Sequence, residues 1–179
     1  IAPGDTVAIT GAGAIGLLGA DAARVRGAAR VIVVGRGQRL AKAAALGFET
    51  VNTAAGDPVG AVRGLTGGFG VDVVLECTGV PEGVEWALEM LRRGGRCAAV
   101  GIPTTGVEIA MQRLVLDELE LVGCRATAGE MRRVMPFVEQ GSIRVKELIT
   151  HRFPLADYAT ALATFKDREG GAIKIIVQP

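Results

Sequence analysis

The chain has one histidine, His151, and three cysteines among 179 residues. Cys77, Cys97 and Cys124 lie far apart, and no two of them form a Cys-x-x-Cys pair. That spacing excludes a sequence-local zinc or dithiol centre. An odd, scattered set in apolar stretches suits reduced core thiols of a cytoplasmic protein. A lone histidine in "ITHRFPL" (149–155) is an ordinary packed or surface residue, and Asp72 and Glu76 have no partner that would mark an acid/base pair. The sequence therefore assigns no catalytic residue and no metal ligand. No uninterrupted apolar run reaches the roughly 18 residues of a membrane span, and no basic stretch precedes a signal-like core. Neither sign of charge is in excess: 20 Lys and Arg face 19 Asp and Glu, for a formal charge of +1. That balance argues against a dominant attraction to nucleic acid or an anionic membrane. The chain also opens on Ile1 rather than Met, and Ala2-Pro3-Gly4-Asp5 reads as a linker. A longer parent protein is expected.

What is abundant is glycine, 26 residues, about twice the usual share, placed between apolar runs where it punctuates turns. Short β-branched runs alternate with longer Ala- and Leu-rich stretches. Strands are predicted at 7–9, 31–34, 50–52, 71–75, 97–100 and 119–122, and helices at 15–26, 39–46, 58–65, 81–91 and 130–140. The strands are nearly all apolar, which suits a sheet covered by helices on both faces. The βαβαβ rhythm, given twice, predicts an α/β Rossmann fold, a doubly wound parallel six-stranded sheet in the order 3-2-1-4-5-6. Residues 1–148 would form this domain. The tail, 149–179, breaks the rhythm with a strand, a helix and a terminal strand, and it needs a surface other than the completed sheet.

The first strand leads into Gly11-x-Gly13-x-x-Gly16. Alone the pattern is weak, but between a strand and a helix in the first βαβ unit it becomes specific. Gly11 permits a tight turn, Gly13 removes a Cβ that would block a pyrophosphate, and Gly16 lets the helix lie against the strand. The first helical N–H groups have no intrahelical partner and sit at the positive end of the helix dipole. A phosphate diester answers both features, with Ala14 and Ile15 as expected donors. At the end of the second strand an acid would hold the adenosine ribose diol. Here stands Gly35, followed by Arg36 and, further on, Arg39. A lost bond to a charged group is worth roughly 1.5–3 kcal/mol, and guanidinium groups clamp phosphates. The expectation is NADP, with NAD as the other candidate.

Six segments then fall in order: Gly4-Asp5-Thr6-Val7, the GAGAIGLL turn, "RLAKAAALG" (39–47), "GVDVVLECTG" (70–79), "LRRGGRCAAVGIP" (91–103) and "LVLDELELVGC" (114–124). Together they resemble the nucleotide-binding half of zinc-type medium-chain alcohol dehydrogenases, nearest the sorbitol and threonine dehydrogenase branch. The resemblance implies further cofactor contacts. Cys77, Thr78 and Gly79 would approach the adenosine side. Val100, Gly101 and Ile102 would hold the nicotinamide carboxamide, with Cys124 and Arg125 beside the ring. Lys174 would turn towards the pyrophosphate. Gly35-Arg36-Gly37-Gln38-Arg39 is similar to the NADP-using variant, although its loop is one residue short. Val107-Glu108-Ile109 resembles a short strand through which family members pair their sheets, which implies a homodimer or homotetramer.

The family's catalytic zinc belongs to a second domain whose motifs are not in this sequence. The resemblance therefore implies an NAD(P)-dependent alcohol or polyol dehydrogenase in the parent protein. This chain alone would bind nucleotide without oxidising alcohol, and its tail would return to the catalytic domain. Two other readings stay open: a zinc-free quinone oxidoreductase-type reductase, and a non-catalytic nucleotide-sensing module.

Overall fold

A computed structural model describes residues 1–126, 129–167 and 169–179. Six strands, β1 (Thr6–Thr10), β2 (Arg30–Gly35), β3 (Glu49–Asn52), β4 (Val71–Glu76), β5 (Leu91–Ala99) and β6 (Glu120–Gly123), form one parallel sheet in the order β3-β2-β1-β4-β5-β6. The helices α1 (Ala14–Val25), α2 (Gly37–Ala45), α3 (Pro58–Leu65), α4 (Pro81–Met90), α5 (Met111–Leu116), α6 (Met131–Glu139) and α7 (Tyr158–Asp167) complete the chain with β7 (Ile149–Pro154) and β8 (Lys174–Gln178), which pair with each other. The expected fold and strand order are those observed.

The reason lies in the side-chain period of two. Along β1, Val7 and Ile9 enter one core with Leu17, Ala20 and Ala23 of α1 and Leu40 and Ala43 of α2. Ala8 enters the other, with Val62 of α3 and Ala87, Leu88 and Met90 of α4. β2 divides in the same way, Val31 and Val33 to the first core and Ile32 and Val34 to the second. Both strand faces are dry, so both must be apolar. The sheet reverses its winding between β1 and β4, where Thr10 stands opposite Glu76.

Several boundaries differ from expectation. β5 begins at Leu91, ahead of the Arg-Gly-Gly stretch, because Leu91 pairs with Val71 before an irregularity in the register. Helix α5 carries no strong sequence signal. Residues 107–109, expected as a pairing strand, form no strand here; Glu108 and Ile109 instead line a cleft of about 550 Å³ against α4.

The tail lies on the α1–α2 face. Leu148 and Ile173 are buried in the first core. Asp21, inside α1 and 3% exposed, accepts from the Arg144 backbone N–H at 2.9 Å and from its Nη2 at 2.5 Å, while Arg144 Nη1 donates to the Leu46 carbonyl at 2.9 Å. Asp21 holds the Arg144 guanidinium above its ordinary pKa, against the opposing effect of burial. The Arg24 guanidinium stacks 3.8 Å from the centre of the Phe48 ring and donates to the Gly47 carbonyl. Removing one partner of a buried ion pair strands the other charge. Arg144→Ala should therefore cost about 3 kcal/mol in urea unfolding and raise amide exchange in β7 and β8. Unchanged exchange there would mean that this pair does not hold the tail.

Candidate functional site

The carboxyl ends of β1, β2, β4, β5 and β6 carry nearly every residue singled out in the sequence, as expected of an open α/β sheet. The glycine turn connects β1 to α1. The Gly11 N–H donates to the Val34 carbonyl at 2.8 Å, and the Cys77 N–H donates to the Thr10 carbonyl at 2.8 Å. Gly11 has φ +102°, and a Cβ there would meet the Cys77 carbonyl at 3.1 Å. A Cβ on Gly16 would lie 1.9 Å from the Gly11 carbonyl oxygen. The two glycines thus let helix, turn and β4 meet at backbone distance. Gly13 differs: a Cβ there would meet nothing within 4 Å. It is also the N-cap of α1, no side chain accepts from the first turn, and no acid lies in it. The first intrahelical bond runs from Leu17 N–H to the Gly13 carbonyl. The N–H groups of Ala14 and Ile15 therefore lie at an uncapped helix end, and Ile15 is 61% exposed.

Gly35 closes β2, and a Cβ there would stand 2.9 Å from the Ala12 Cβ. Arg36 is exposed at the N-cap of α2 and makes no hydrogen bond or ion pair among the described residues. Arg39 is partly buried on α2. The sequence placed it within reach of a phosphate, but its Nε and Nη2 donate to the Ala172 carbonyl at 2.9 and 2.5 Å. One turn into α2, its side chain faces the docked tail, so it serves as a clamp there. Lys174 is exposed on β8, in the two-stranded sheet and not at the strand ends that carry the other residues.

Beyond β4, Cys77, Thr78 and Gly79 are partly buried, and beyond β5 so are Val100 and Gly101, while Ile102 is exposed. The two loops touch: a Cβ on Gly101 would lie 2.3 Å from Gly79 N. Cys124 N–H donates to the Ala99 carbonyl at 2.8 Å. Cys124 and Arg125 are exposed at the end of β6. Burial, and then the neighbouring Glu76 charge, pushes the Cys77 thiol up to about 12, and the same causes raise Cys97 to about 12. Neither is a ready thiolate nucleophile near neutral pH. Among the described residues no group of three or more His, Cys, Asp or Glu side chains is placed to hold a metal ion, so the residues present do not fit a zinc centre and no step through zinc follows from them. His151 bonds Thr150 Oγ1 at 2.9 Å and stacks on Phe153 within β7. No described helix is long and apolar enough to cross a membrane.

Sequence reasoning missed two features. Asp21 was not singled out, although an acid within the apolar stretch of α1 was a visible signal. Glu76 was set aside, yet its carboxylate and main-chain carbonyl accept from both loops beyond β4 and β5.

The glycine geometry separates two substitutions. Gly13→Ala should leave the thermal midpoint within about 2 °C of the wild type, because the methyl enters open space. Gly16→Ala should cost at least about 1 kcal/mol even after its gain in helix propensity. Thermal and urea unfolding followed by circular dichroism would check both.

The zinc-binding dehydrogenase family profile matches residues 14–140. Sorbitol dehydrogenase of Halalkalibacterium halodurans is 31% identical over 182 residues, covering 98% of this chain and 52% of its own. L-threonine 3-dehydrogenase of Bacillus licheniformis is 32% identical over 178 residues, covering 97% and 51%. Among solved structures, alcohol dehydrogenase from Thermus sp. ATN1 superposes with a TM-score of 0.91 at 31% identity, over 97% of this chain and 51% of that one. A Sinorhizobium meliloti 1021 protein described as a zinc-binding dehydrogenase, solved with NADP bound, gives a TM-score of 0.91 at 33% identity, over 100% and 54%. The chain spans about half the length of these relatives. With a family match over more than half its residues, on a six-stranded nucleotide-domain fold, the chain belongs to the zinc-binding dehydrogenase family.

Proposed function

We propose that this chain is the NADP(H)-binding domain of a zinc-dependent alcohol or polyol dehydrogenase. In this reading residues 1–148 hold the dinucleotide, and residues 149–179 return to a catalytic domain carried by the rest of the parent protein. The observation that carries it is the open turn at Gly13, where α1 has no side-chain cap and an added Cβ would meet nothing within 4 Å. Ala14 and Ile15 N–H groups would hold the pyrophosphate. Arg36, exposed and without a partner among the described residues, would hold the 2′-phosphate, beside a Gly35 that brings no competing carboxylate. Cys77, Thr78 and Gly79 would border the adenosine. The backbone of Val100, Gly101 and Ile102 would hold the nicotinamide carboxamide, with Cys124 and Arg125 beside the ring. When bound, the nicotinamide supplies hydride acceptance or donation. What this chain adds is position, since a ring held at one angle against the sheet edge presents one face to an alcohol.

The named relatives act on alcohols, sorbitol and threonine, and one neighbour is solved with NADP. Those facts support an alcohol or polyol substrate for the parent enzyme. Exposed Met111, Val115, Leu116 and Val122, on α5 and the edge strand β6, support assembly as a homodimer or homotetramer.

The test is a titration of the chain with NADPH and NADH, followed by nicotinamide emission. NADPH should bind about tenfold or more tighter. Arg36→Ala should bring the two within about threefold, and Gly13→Ala should weaken both by about tenfold or more. A preference for NADH in the wild type would overturn the NADP assignment, and no saturable binding of either would overturn the whole reading.

A further inference from the structure

Glu76 ends β4 with no exposure to solvent. An ionised carboxylate in that position is costly unless donors surround it. One of its oxygens, Oε1, accepts from Thr78 N–H at 2.6 Å and Gly79 N–H at 3.3 Å, and also from the Thr78 hydroxyl. Its main-chain carbonyl accepts from Val100 N–H at 2.8 Å and Gly101 N–H at 2.9 Å. One residue therefore bonds both loops that border the proposed dinucleotide site. The second oxygen, Oε2, has no hydrogen-bond partner among the described residues. It presses on the Gly101 backbone, where a Cβ would stand 2.4 Å away. The loop after β5 closes this far only because position 101 has no side chain. Thr10 Oγ1, opposite Glu76 in the sheet register, is also buried without a hydrogen-bond partner among the described residues. The carboxylate's hydrogen bonds thus run to the loop after β4 and not to Thr10, while its unpaired oxygen lies against the loop after β5.

We infer that Glu76 is a positioning residue for the dinucleotide: it touches no reacting atom but fixes the loops 77–79 and 100–102 against each other. This rests on the nucleotide-binding reading above. The relevant property is reach, since Oε1 must meet three donors at once. Glu76→Gln retains an acceptor at that point. Glu76→Asp retains the charge and withdraws the acceptor by one methylene.

The experiment measures NADPH affinity, and the shift of nicotinamide emission on binding, for the wild type, Glu76→Gln and Glu76→Asp, well below their thermal midpoints. Glu76→Gln should bind within about threefold of the wild type, and Glu76→Asp should lose about tenfold or more together with the emission shift. A purely structural role would lower the midpoint of Glu76→Asp and leave its affinity unchanged while folded, and that result overturns the inference. So does a Glu76→Gln variant as weak as Glu76→Asp. If Glu76→Asp does not fold, Thr78→Val removes the hydroxyl donor and spares the carboxylate. A loss of about threefold or more is expected, and wild-type affinity overturns the inference. Failure of the wild type to bind NADPH would be a failure of the nucleotide reading instead.

Discussion

The contact between α1 and the turn that precedes it governs this structure. The Gly16 Cα sits so close to the Gly11 carbonyl that any side chain at 16 would have to displace backbone. Only with that approach does the axis of α1 aim its uncapped end across the carboxyl edge of the sheet. The same approach brings Leu17, Ala20 and Ala23 onto β1 and closes the first core. Packing of α1 and the placement of its open end are therefore one constraint, and the missing Cβ at Gly16 satisfies it.

The tail obeys a different logic. A two-stranded sheet such as β7–β8 is marginal by itself, and here it borrows stability from the Rossmann body. Leu148 and Ile173 contribute apolar burial, while Asp21, Arg144 and Arg39 contribute directed bonds. The two outer edges of β7–β8 pair with no strand among the described residues. Leu155, Tyr158, Leu162 and Phe165, beside or on α7, keep large apolar surface in water. Such a surface is costly in isolation and is a recurrent mark of an interface. It agrees with a chain spanning about half the length of its relatives.

Chemistry divides along the same line. Nicotinamide cofactors carry the hydride step, and a protein contributes orientation and field. The described residues offer backbone donors, a guanidinium and a pair of touching loops, which are tools of orientation. Burial raises the thiols of Cys77 and Cys97, so neither adds a ready nucleophile.

Much of this was legible in the chain. Continuous apolar strands, alternating with helices of 3.6-residue period and punctuated by glycine, imply a doubly wound sheet and its strand order, because few arrangements cover both faces of such strands. The spacing of Gly11, Gly13 and Gly16 located the turn, since each glycine answers a local steric demand. Contacts across the fold were not legible. Arg39 and Ala172 are 133 positions apart, and nothing local distinguishes a phosphate clamp from a tail clamp. Residues 107–109 have the composition of a strand, but pairing needs a neighbour, and none is offered among the described residues. Glu76 resembled a stray acid until folding set five donors around it. Local sterics and periodicity belong to the sequence by itself; which carbonyl, amide or charge a long side chain finally meets is decided when distant segments pack.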